Sequence, residues 1–220
     1  RVLFRSSSYP AVMCKYGVPE GMTRRSTDYR ATEPGIYRVK IKAPDNLIIA
    51  IIPARDKKGN MRWYSGTFET ICTGVELIFA EENGYEVLEV YDGLQWEYMV
   101  YPFNDFIEKC KKIRKDYKGK PEEQVSKLSQ NSLYGKYGSR RERSTILIAR
   151  FTSPDELIGT TPIDADGEFY SKKIFADDMI VKPEWALFIT AHARLVILKQ
   201  AYKVGTINCI YGDTDSLTVK

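Results

Sequence analysis

The chain has 220 residues and a formal net charge of +4, and 43% of its residues are hydrophobic, 12% aromatic and 28% charged. This composition suits a globular protein of one large or two small domains, and so small a net charge does not by itself indicate a polyanionic partner. The four cysteines are widely spaced and only one histidine is present, so we expect neither a zinc site nor a disulfide framework.

The apolar runs of the chain bear on its location in the cell, and its two ends bear on whether it is a piece of a longer protein. No apolar run reaches the ~18 residues of a membrane span, and no signal peptide is visible. We therefore expect a soluble intracellular protein with no membrane partner. The chain begins without Met and stops at Lys220 inside a predicted strand, as expected of a piece of a longer protein.

The start of the chain predicts strands and a helix joined by polar segments. A short strand, a turn at 7–10 and a helix opening at Ala11 come first. Proline and glycine interrupt the polar segment 17–35, which predicts a loop. Apolar and basic residues alternate over 36–42, which is the pattern of a half-buried strand.

The next segments complete a mixed body. The apolar run 47–52 predicts a buried strand, and 56–60 predicts a hairpin turn. Helical spacing over 70–82 predicts a helix, and 85–91 predicts a strand. The first half is therefore expected to be an α+β body with an antiparallel sheet.

The middle of the chain predicts a helical hairpin with a basic arm. Residues 103–114 carry an apolar stripe, and a cluster of lysines and arginines occupies 109–120. After a turn at 117–120, Pro121 opens a second helix that is expected to stop at Gly135. The alternative interpretation of the charge cluster is a solvated face.

The last third predicts an insertion, a long helix and an acidic hairpin. Segment 138–178 is expected to be irregular, with one strand near 145–151. Residues 184–202 predict a strong helix, and strands are predicted at 207–211 and 217–219.

The tip of this hairpin carries the first candidate site. Its turn holds Asp213 and Asp215, whose close carboxylates repel each other unless a cation neutralises them. Mg²⁺ takes carboxylate oxygens as ligands beside substrate phosphates, so the turn could hold such an ion. An acidic, solvated turn is the alternative.

A second candidate site lies on the second helix of the hairpin. Lys127, Asn131 and Tyr134 are spaced four and three residues apart, so they share one helix face. An ammonium there can bind a triphosphate, a phenol can pack on a base or sugar, and Gly135 suits a close backbone approach. A polar outer face without a substrate is the alternative.

Together these strings resemble motifs of the family B DNA polymerases. Lys-x-x-x-Asn-Ser-x-Tyr-Gly at 127–135 resembles the fingers motif, and Tyr-Gly-Asp-Thr-Asp-Ser at 211–216 resembles a palm motif. The segment from Thr190 to Arg194 is similar to a DNA-contacting Thr-x-x-Ala/Gly-Arg palm segment. Lys115 looks like the second phosphate-binding lysine of the protein-primed branch, whose members replicate linear phages and linear plasmids. The resemblance covers nearly the whole chain.

The resemblance implies a reaction, a cofactor and partners. A primer 3′-hydroxyl, or a terminal-protein hydroxyl at the first addition, would attack the α-phosphate of a deoxynucleotide and release pyrophosphate. Mg²⁺ or Mn²⁺ would be the cofactor, and template-primer DNA, dNTP and a terminal protein the partners. The location would be a host cytoplasm for a phage or plasmid, or a mitochondrion for a mitochondrial plasmid.

The resemblance also assigns roles to individual residues. The metal-binding catalytic carboxylates would be Asp213 and Asp215. The nucleotide-binding residues would be Tyr9, Lys115, Lys127, Asn131 and Tyr134. The DNA-binding residues would be Ser7, Gly135, Thr190 and Arg194.

The implied fold is α+β, a polymerase palm with an antiparallel sheet, a two-helix fingers hairpin and β-rich insertions. The first palm segment would be 1–23, and the inserted first terminal-protein region 24–102. The fingers would be 103–138, the β-loop insertion resembling the second terminal-protein region 139–178, and the palm helix with its hairpin 179–220.

One position departs from the family pattern. The first palm motif is Asp-x-x-Ser-Leu-Tyr-Pro, and here Phe4 occupies the Asp position and Ser8 the Leu position. Either residues 1–6 are foreign to the native gene or this copy is degenerate. Two-metal phosphoryl transfer needs ligands for ions ~4 Å apart, and one bridging carboxylate is missing.

Three hypotheses follow. The first is an active polymerase core, although the family's exonuclease domain and thumb are absent from this chain. The second is a catalytically inactive fragment that binds nucleic acid or nucleotide, which Phe4 favours. The third is a glycosyltransferase that uses Asp213 and Asp215 for a metal-bound sugar nucleotide and gives no role to Lys127.

Overall fold

The computed structural model describes residues 2–4, 8–139, 142–175, 180–213 and 216–220, and of residues 2–4, 142, 143, 175 and 213 it describes the backbone alone. The elements of the first half are β1 (Val2–Phe4), α1 (Ser8–Tyr16), β2 (Val18–Arg25), β3 (Gly35–Ala43), β4 (Pro53–Arg55), β5 (Met61–Trp63), β6 (Gly66–Thr73), α2 (Gly74–Glu81) and β7 (Glu86–Val100). Those of the second half are α3 (Asn104–Asp116), α4 (Pro121–Tyr137), β8 (Glu142–Ile148), α5 (Pro154–Leu157), β9 (Thr161–Pro162), β10 (Phe169–Phe175), α6 (Pro183–Val204), β11 (Cys209–Asp213) and β12 (Ser216–Val219).

The predicted α+β class is confirmed by a four-stranded antiparallel sheet in the first half. Its strand order is β2-β7-β3-β6. Along β3 buried residues alternate with more exposed ones, and Tyr37, Val39 and Ile41 face the core as the alternation predicted. The hairpin of β4 and β5 flanks the predicted turn at 56–60.

The loop predicted at 17–35 was wrong for residues 18–25, which form β2. Proline is tolerated there because β2 is an edge strand that pairs with β7 alone, so the absent N–H of Pro19 costs no ladder bond on its free side. Gly21 adopts a φ of 92° where the pairing register shifts between Glu20 and Thr23, which is a bulge that glycine permits.

The buried strand predicted at 47–52 was also wrong. Ile51 and Ile52 are buried, but side chains rather than a strand partner bond to this backbone. Tyr85 Oη accepts the N–H of Ile51 at 3.0 Å, and Tyr202 Oη donates to the carbonyl of Ile49 at 2.7 Å. The apolar run therefore marks burial correctly without forming a strand.

The remaining boundary errors have local causes. The helix predicted over 70–82 begins only at Gly74, because residues up to Thr73 pair with β3. The strand predicted over 85–91 extends to Val100 and joins β2 to β3. Helix α1 begins at Ser8 instead of Ala11, with its proline in the first turn, where a missing N–H is tolerated.

The second half also differs in detail. Helix α4 continues through Gly135 to Tyr137, because a single glycine costs a helix only ~1 kcal/mol. The segment 138–178 was predicted as irregular with one strand, but it contains the antiparallel sheet β8-β10-β9. The strand predicted from residue 207 begins at Cys209, after a short 3₁₀ turn over Thr206–Asn208.

Helix α6 lies between two hydrophobic cores. Leu195 packs into the core of the four-stranded sheet, with Leu198 and Tyr202 at its edge. Trp185 and Ile189 pack into the second core, which α6 shares with α1 and α3. A helix that is apolar on more than one side is buried on more than one side, so α6 joins the sheet to the helical hairpin.

Three aromatic rings hold the base of the α3–α4 hairpin. Phe103 precedes α3, Tyr137 ends α4, and Trp185 lies in the first turn of α6; their ring centroids are 4.9–5.6 Å apart. The carbonyl of Tyr137 accepts the N–H of Lys182 at 3.0 Å, so the two residues that flank the insertion are adjacent in space. Within the described ranges, no helix is long and apolar enough to cross a membrane.

We expect Ile189→Ala to lower the free energy of unfolding by about 2–5 kcal/mol, because Ile189 is fully buried between helices and its truncation leaves a cavity. Urea denaturation measures this loss. The matched control is Ile158→Ala, at a side chain that is 75% exposed, with an expected change within about 0.5 kcal/mol. Equal effects of the two changes would contradict the core described above.

The single histidine gives the stability a pH dependence. His192 stacks on Tyr16 with ring centroids 4.3 Å apart, and burial lowers its pKa to about 4. At pH values between the unfolded pKa of ~6.5 and the folded pKa, His192 is protonated in the unfolded chain but stays neutral in the native chain. The free energy of unfolding should therefore fall by up to about 1.4 kcal/mol per pH unit as the pH drops through this window.

The variant His192→Phe keeps an aromatic ring against Tyr16 and removes the titrating group. We expect its unfolding free energy to change less steeply between pH 6.5 and pH 5 than that of the unmodified chain. Urea denaturation at several pH values measures both slopes. Identical slopes would show that another group titrates in this window.

Candidate functional site

The acidic hairpin forms one side of a three-stranded sheet of order β1-β12-β11. Asp213 is paired with Ser216 across the hairpin, and Phe4 is paired with the same Ser216 from the other side. The backbones of positions 4, 216 and 213 therefore form one row across three neighbouring strands. Asp215, predicted as a metal ligand with Asp213, lies outside the described residues, as does the side chain of Asp213.

This row places Phe4, which stands where the first palm motif has Asp, beside the acidic hairpin. The predicted first palm motif and the acidic hairpin come from opposite ends of the chain, and the pairing of β1 with β12 brings them together. A phenyl ring carries no oxygen ligand, so position 4 contributes nothing to a cation site in this chain. Among the residues whose placement is described, no group of three or more His, Cys, Asp or Glu side chains could hold a metal.

The first helix and the hairpin helix α4 meet through two tyrosines. The rings of Tyr9 and Tyr134 stack with centroids 4.1 Å apart and planes 19° apart. Burial, together with the hydrogen bond to Tyr134, raises the pKa of Tyr9 to about 12, and the positive charge of Arg194 opposes this shift. The hydroxyl of Tyr9 therefore stays protonated at neutral pH.

A cleft of about 1110 Å³ opens beside this stack. Its walls come from α6, from β11 and from two segments of the first half of the chain, 45–51 and 63–65. Three predicted site residues line it, namely Tyr9, Thr190 and Arg194, together with Tyr211 and Gly212 next to the acidic tip. The fold thus brings residues from three separate motifs to one cavity.

The other fingers residues lie along α4 and α3, away from the cleft walls. Asn131 is half-buried, and Lys127 is exposed on the same helix face, ~10 Å along the axis from Tyr134. Lys115 is exposed in the last turn of α3, where a cation also suits the helix dipole. Neither lysine is among the cleft residues.

Two predicted DNA contacts have different surroundings, and a third lies outside the described residues. The hydroxyl of Thr190 donates to carbonyls of its own helix at 2.9 Å, so its hydrogen is already used. Gly135 is exposed, and a Cβ built there would meet no atom within 4 Å, so the protein's own packing does not require glycine. Ser7 is the third.

Arg194 has a partner that sequence reasoning missed. Its Nη2 donates to Oε1 of Glu76 at 2.5 Å, and the carboxylate side chain of Glu76 is only 3% exposed. The other oxygen of Glu76 accepts from the backbone N–H and the hydroxyl of Thr73, at 3.0 and 2.9 Å. The string Thr73-x-x-Glu76 is a capping-box signature that could have located this carboxylate, though not its partner.

Comparison with known proteins agrees with this arrangement. A family model for DNA polymerase type B, organellar and viral, matches residues 6–182. A "Probable DNA polymerase" of Neurospora intermedia is 29% identical over 238 residues, which cover 97% of this chain and 24% of that protein. A "DNA polymerase" of Streptococcus phage Cp-1 is 25% identical over 228 residues, which cover 96% and 38%. The chain therefore spans less than two fifths of either relative's length.

Solved structures of Phi29 DNA polymerase share the fold. The complex with primer-template DNA has a TM-score of 0.71 at 22% identity, and it covers all of this chain and 37% of that one. The ternary complex with primer-template DNA and incoming nucleotides has a TM-score of 0.71 at 23% identity and covers 100% and 38%. Since the family model matches residues 6–182, well over half of the sequence, the chain belongs to the type B DNA polymerases of the organellar and viral group.

Proposed function

We propose that this chain is the palm and fingers part of a DNA-directed DNA polymerase, which binds a primer-template and an incoming dNTP for template-directed synthesis. The stack of Tyr9 on Tyr134 carries the proposal, because it joins the first palm motif to the fingers motif beside the cleft. The two rings come from segments 125 positions apart, and neither a glycosyltransferase nor a solvated helix face gives a reason for them to meet.

The residues around the stack fit a nucleotide and a nucleic acid. Tyr9 and Tyr134 offer aromatic rings against which a sugar and base could pack, and Tyr9 adds a protonated hydroxyl. Lys127 and Lys115, both exposed, would approach the triphosphate, since an ammonium binds phosphate as a point charge. Thr190 and Arg194 would meet the template-primer along the cleft wall.

The domain assignments follow the same reasoning. Residues 103–138 would be the fingers, and the sheet within 139–178 would be the second terminal-protein-like insertion. Residues 24–102 would be the first such insertion, which α6 helps to pack. We further propose a terminal protein as the initiating primer, because Lys115 lies twelve positions before Lys127 as in the protein-primed branch.

The divalent ions of this family, Mg²⁺ or Mn²⁺, fit the residues of this chain only in part. Asp213 and Asp215 can supply carboxylate oxygens from the hairpin. The row of positions 4, 216 and 213 provides no oxygen from the first motif, because Phe4 occupies it. A site for two ions is therefore incomplete, and we assign no step of the reaction to metal in this chain.

This incomplete site favours a second candidate, a chain that binds nucleotide and DNA but does not join them. The pairing of Phe4 with Ser216 is the specific observation behind it. The two candidates share every binding residue and differ only in whether the chain joins nucleotides without a carboxylate at position 4.

Primer extension separates the candidates. We expect the unmodified chain to extend a primer with Mg²⁺ and dNTPs barely above background, and Phe4→Asp to extend it at least about a hundredfold faster, because a metal ligand is restored. The matched control is Phe4→Asn, which is similar in size to aspartate but carries no charge. Robust extension by the unmodified chain would reject the inactive-fragment candidate.

Lys127 provides a test of the nucleotide site. Lys127→Ala should weaken dNTP binding to the chain with primer-template about tenfold or more, through loss of a charge-assisted hydrogen bond of about 1.5 kcal/mol. DNA affinity should change less than about twofold. Titration of dNTP and fluorescence anisotropy of labelled DNA measure the two constants.

The control is Lys57→Ala, at an equally exposed lysine in the turn between β4 and β5. It removes the same charge and should leave dNTP affinity unchanged. If Lys127→Ala leaves dNTP binding intact, α4 does not face the triphosphate and the assignment of this helix is wrong.

A further inference from the structure

A buried carboxylate from the first half of the chain holds an arginine of the cleft. Glu76 is the third residue of α2, and its side chain is 3% exposed. Oε2 completes the capping box with Thr73, while Oε1 accepts from Nη2 of Arg194 on α6. The two carboxylate oxygens of Glu76 therefore have separate partners: Oε2 caps helix α2, and Oε1 bonds the cleft arginine.

The capping box fixes the carboxylate before any ligand arrives. Thr73 is fully buried and gives both its N–H and its hydroxyl to Oε2, so Glu76 has no freedom to turn away. Arg194 in turn is tied to a rigid acceptor, although it keeps N–H groups beyond the one given to Glu76. Its side chain remains 35% exposed and lines the cleft with Tyr9.

The geometry of Arg194 shows that its orientation is imposed. Its Nε–H is buried and has no acceptor among the described residues, and a buried unsatisfied donor is costly. A free arginine would turn to relieve this cost. The bond to Glu76 and the surrounding packing instead keep the guanidinium at the cleft wall, within electrostatic reach of the Tyr9 hydroxyl.

We propose that Glu76 is a positioning residue, which orients the guanidinium of Arg194 to bind a phosphate of the primer-template. A guanidinium recognises phosphate through N–H groups in a fixed plane, so its orientation decides whether the contact forms. This inference rests on the proposed function, because it requires DNA in the cleft. It gives the first inserted region a direct role in holding the substrate.

A positioning role for Glu76 and simple charge repulsion predict opposite changes in DNA affinity when Glu76 is neutralised. Glu76→Gln removes a negative charge near the cleft, so charge alone would tighten DNA binding. If Glu76 instead orients Arg194, the same change releases the guanidinium and weakens binding. A purely structural carboxylate would lower the melting temperature and leave the affinity of the folded chain unchanged.

The experiment measures binding of the chain to a fluorescein-labelled primer-template by anisotropy, from about 50 to about 200 mM NaCl. Four variants are compared with the unmodified chain, namely Glu76→Gln, Arg194→Gln, the double variant, and Leu77→Ala. Leu77 is the fully buried neighbour of Glu76 in α2 and is not among the cleft residues, so Leu77→Ala lowers stability while the carboxylate and its bonds remain, and it controls for lost stability. Circular dichroism confirms that each variant is folded at the assay temperature.

We expect Glu76→Gln and Arg194→Gln each to weaken binding about tenfold, and the double variant to bind no more than about twofold weaker than either. The slope of log K against log salt should become shallower by about 0.9 in each, through loss of one phosphate contact. Leu77→Ala should bind as the unmodified chain does.

Other results would overturn the proposal in distinguishable ways. Unchanged or tighter binding by Glu76→Gln, with Arg194→Gln impaired, would make Glu76 structural only. Full binding by Arg194→Gln would remove the phosphate contact and leave the proposed function standing. Absence of any DNA binding by the unmodified chain would refute the proposed function, and this role of Glu76 with it.

Discussion

The burial of α6 in two separate cores is the constraint on which the rest of the structure depends. One side completes the core of the four-stranded sheet through Leu195, and the other completes the helical core through Ile189. Thr190 and Arg194, four positions apart on another face of the helix, line the cleft, so the packing of one helix defines a wall of the cleft.

The aromatic cluster at the base of the hairpin transmits this constraint to α4. Phe103, Tyr137 and Trp185 tie both ends of the α3–α4 pair to the first turn of α6. With its base fixed, α4 carries Tyr134 to a set position three residues before its end, and there it stacks on Tyr9. The nucleotide pocket that we propose is therefore a consequence of packing at the base of the fingers, since aromatic contacts orient rings as well as bury them.

Sequence patterns predicted the features that depend on residues close together along the chain, such as helix faces and strand alternation. The face shared by Lys127, Asn131 and Tyr134 follows from helical spacing, and the alternation in β3 follows from the period of a strand. Strand β2 was missed because tolerance of Pro19 depends on its being at an edge, which no local pattern reveals. Glu76 was missed as a partner of Arg194 because the two residues are 118 positions apart, so their contact exists only in the folded chain.

The row of positions 4, 216 and 213 links this chain's stability to its chemistry. A carboxylate at position 4 would add a negative charge to the row that contains Asp213, and like charges held together destabilise a fold unless a cation neutralises them. Phe4 removes that repulsion, and an aromatic residue suits a strand. Without that repulsion, this small sheet depends less on a bound ion for its stability. Tyr9, Tyr134 and Ile189 belong to the core that α1, α4 and α6 share, so the binding surfaces that we propose follow from the packing of these helices.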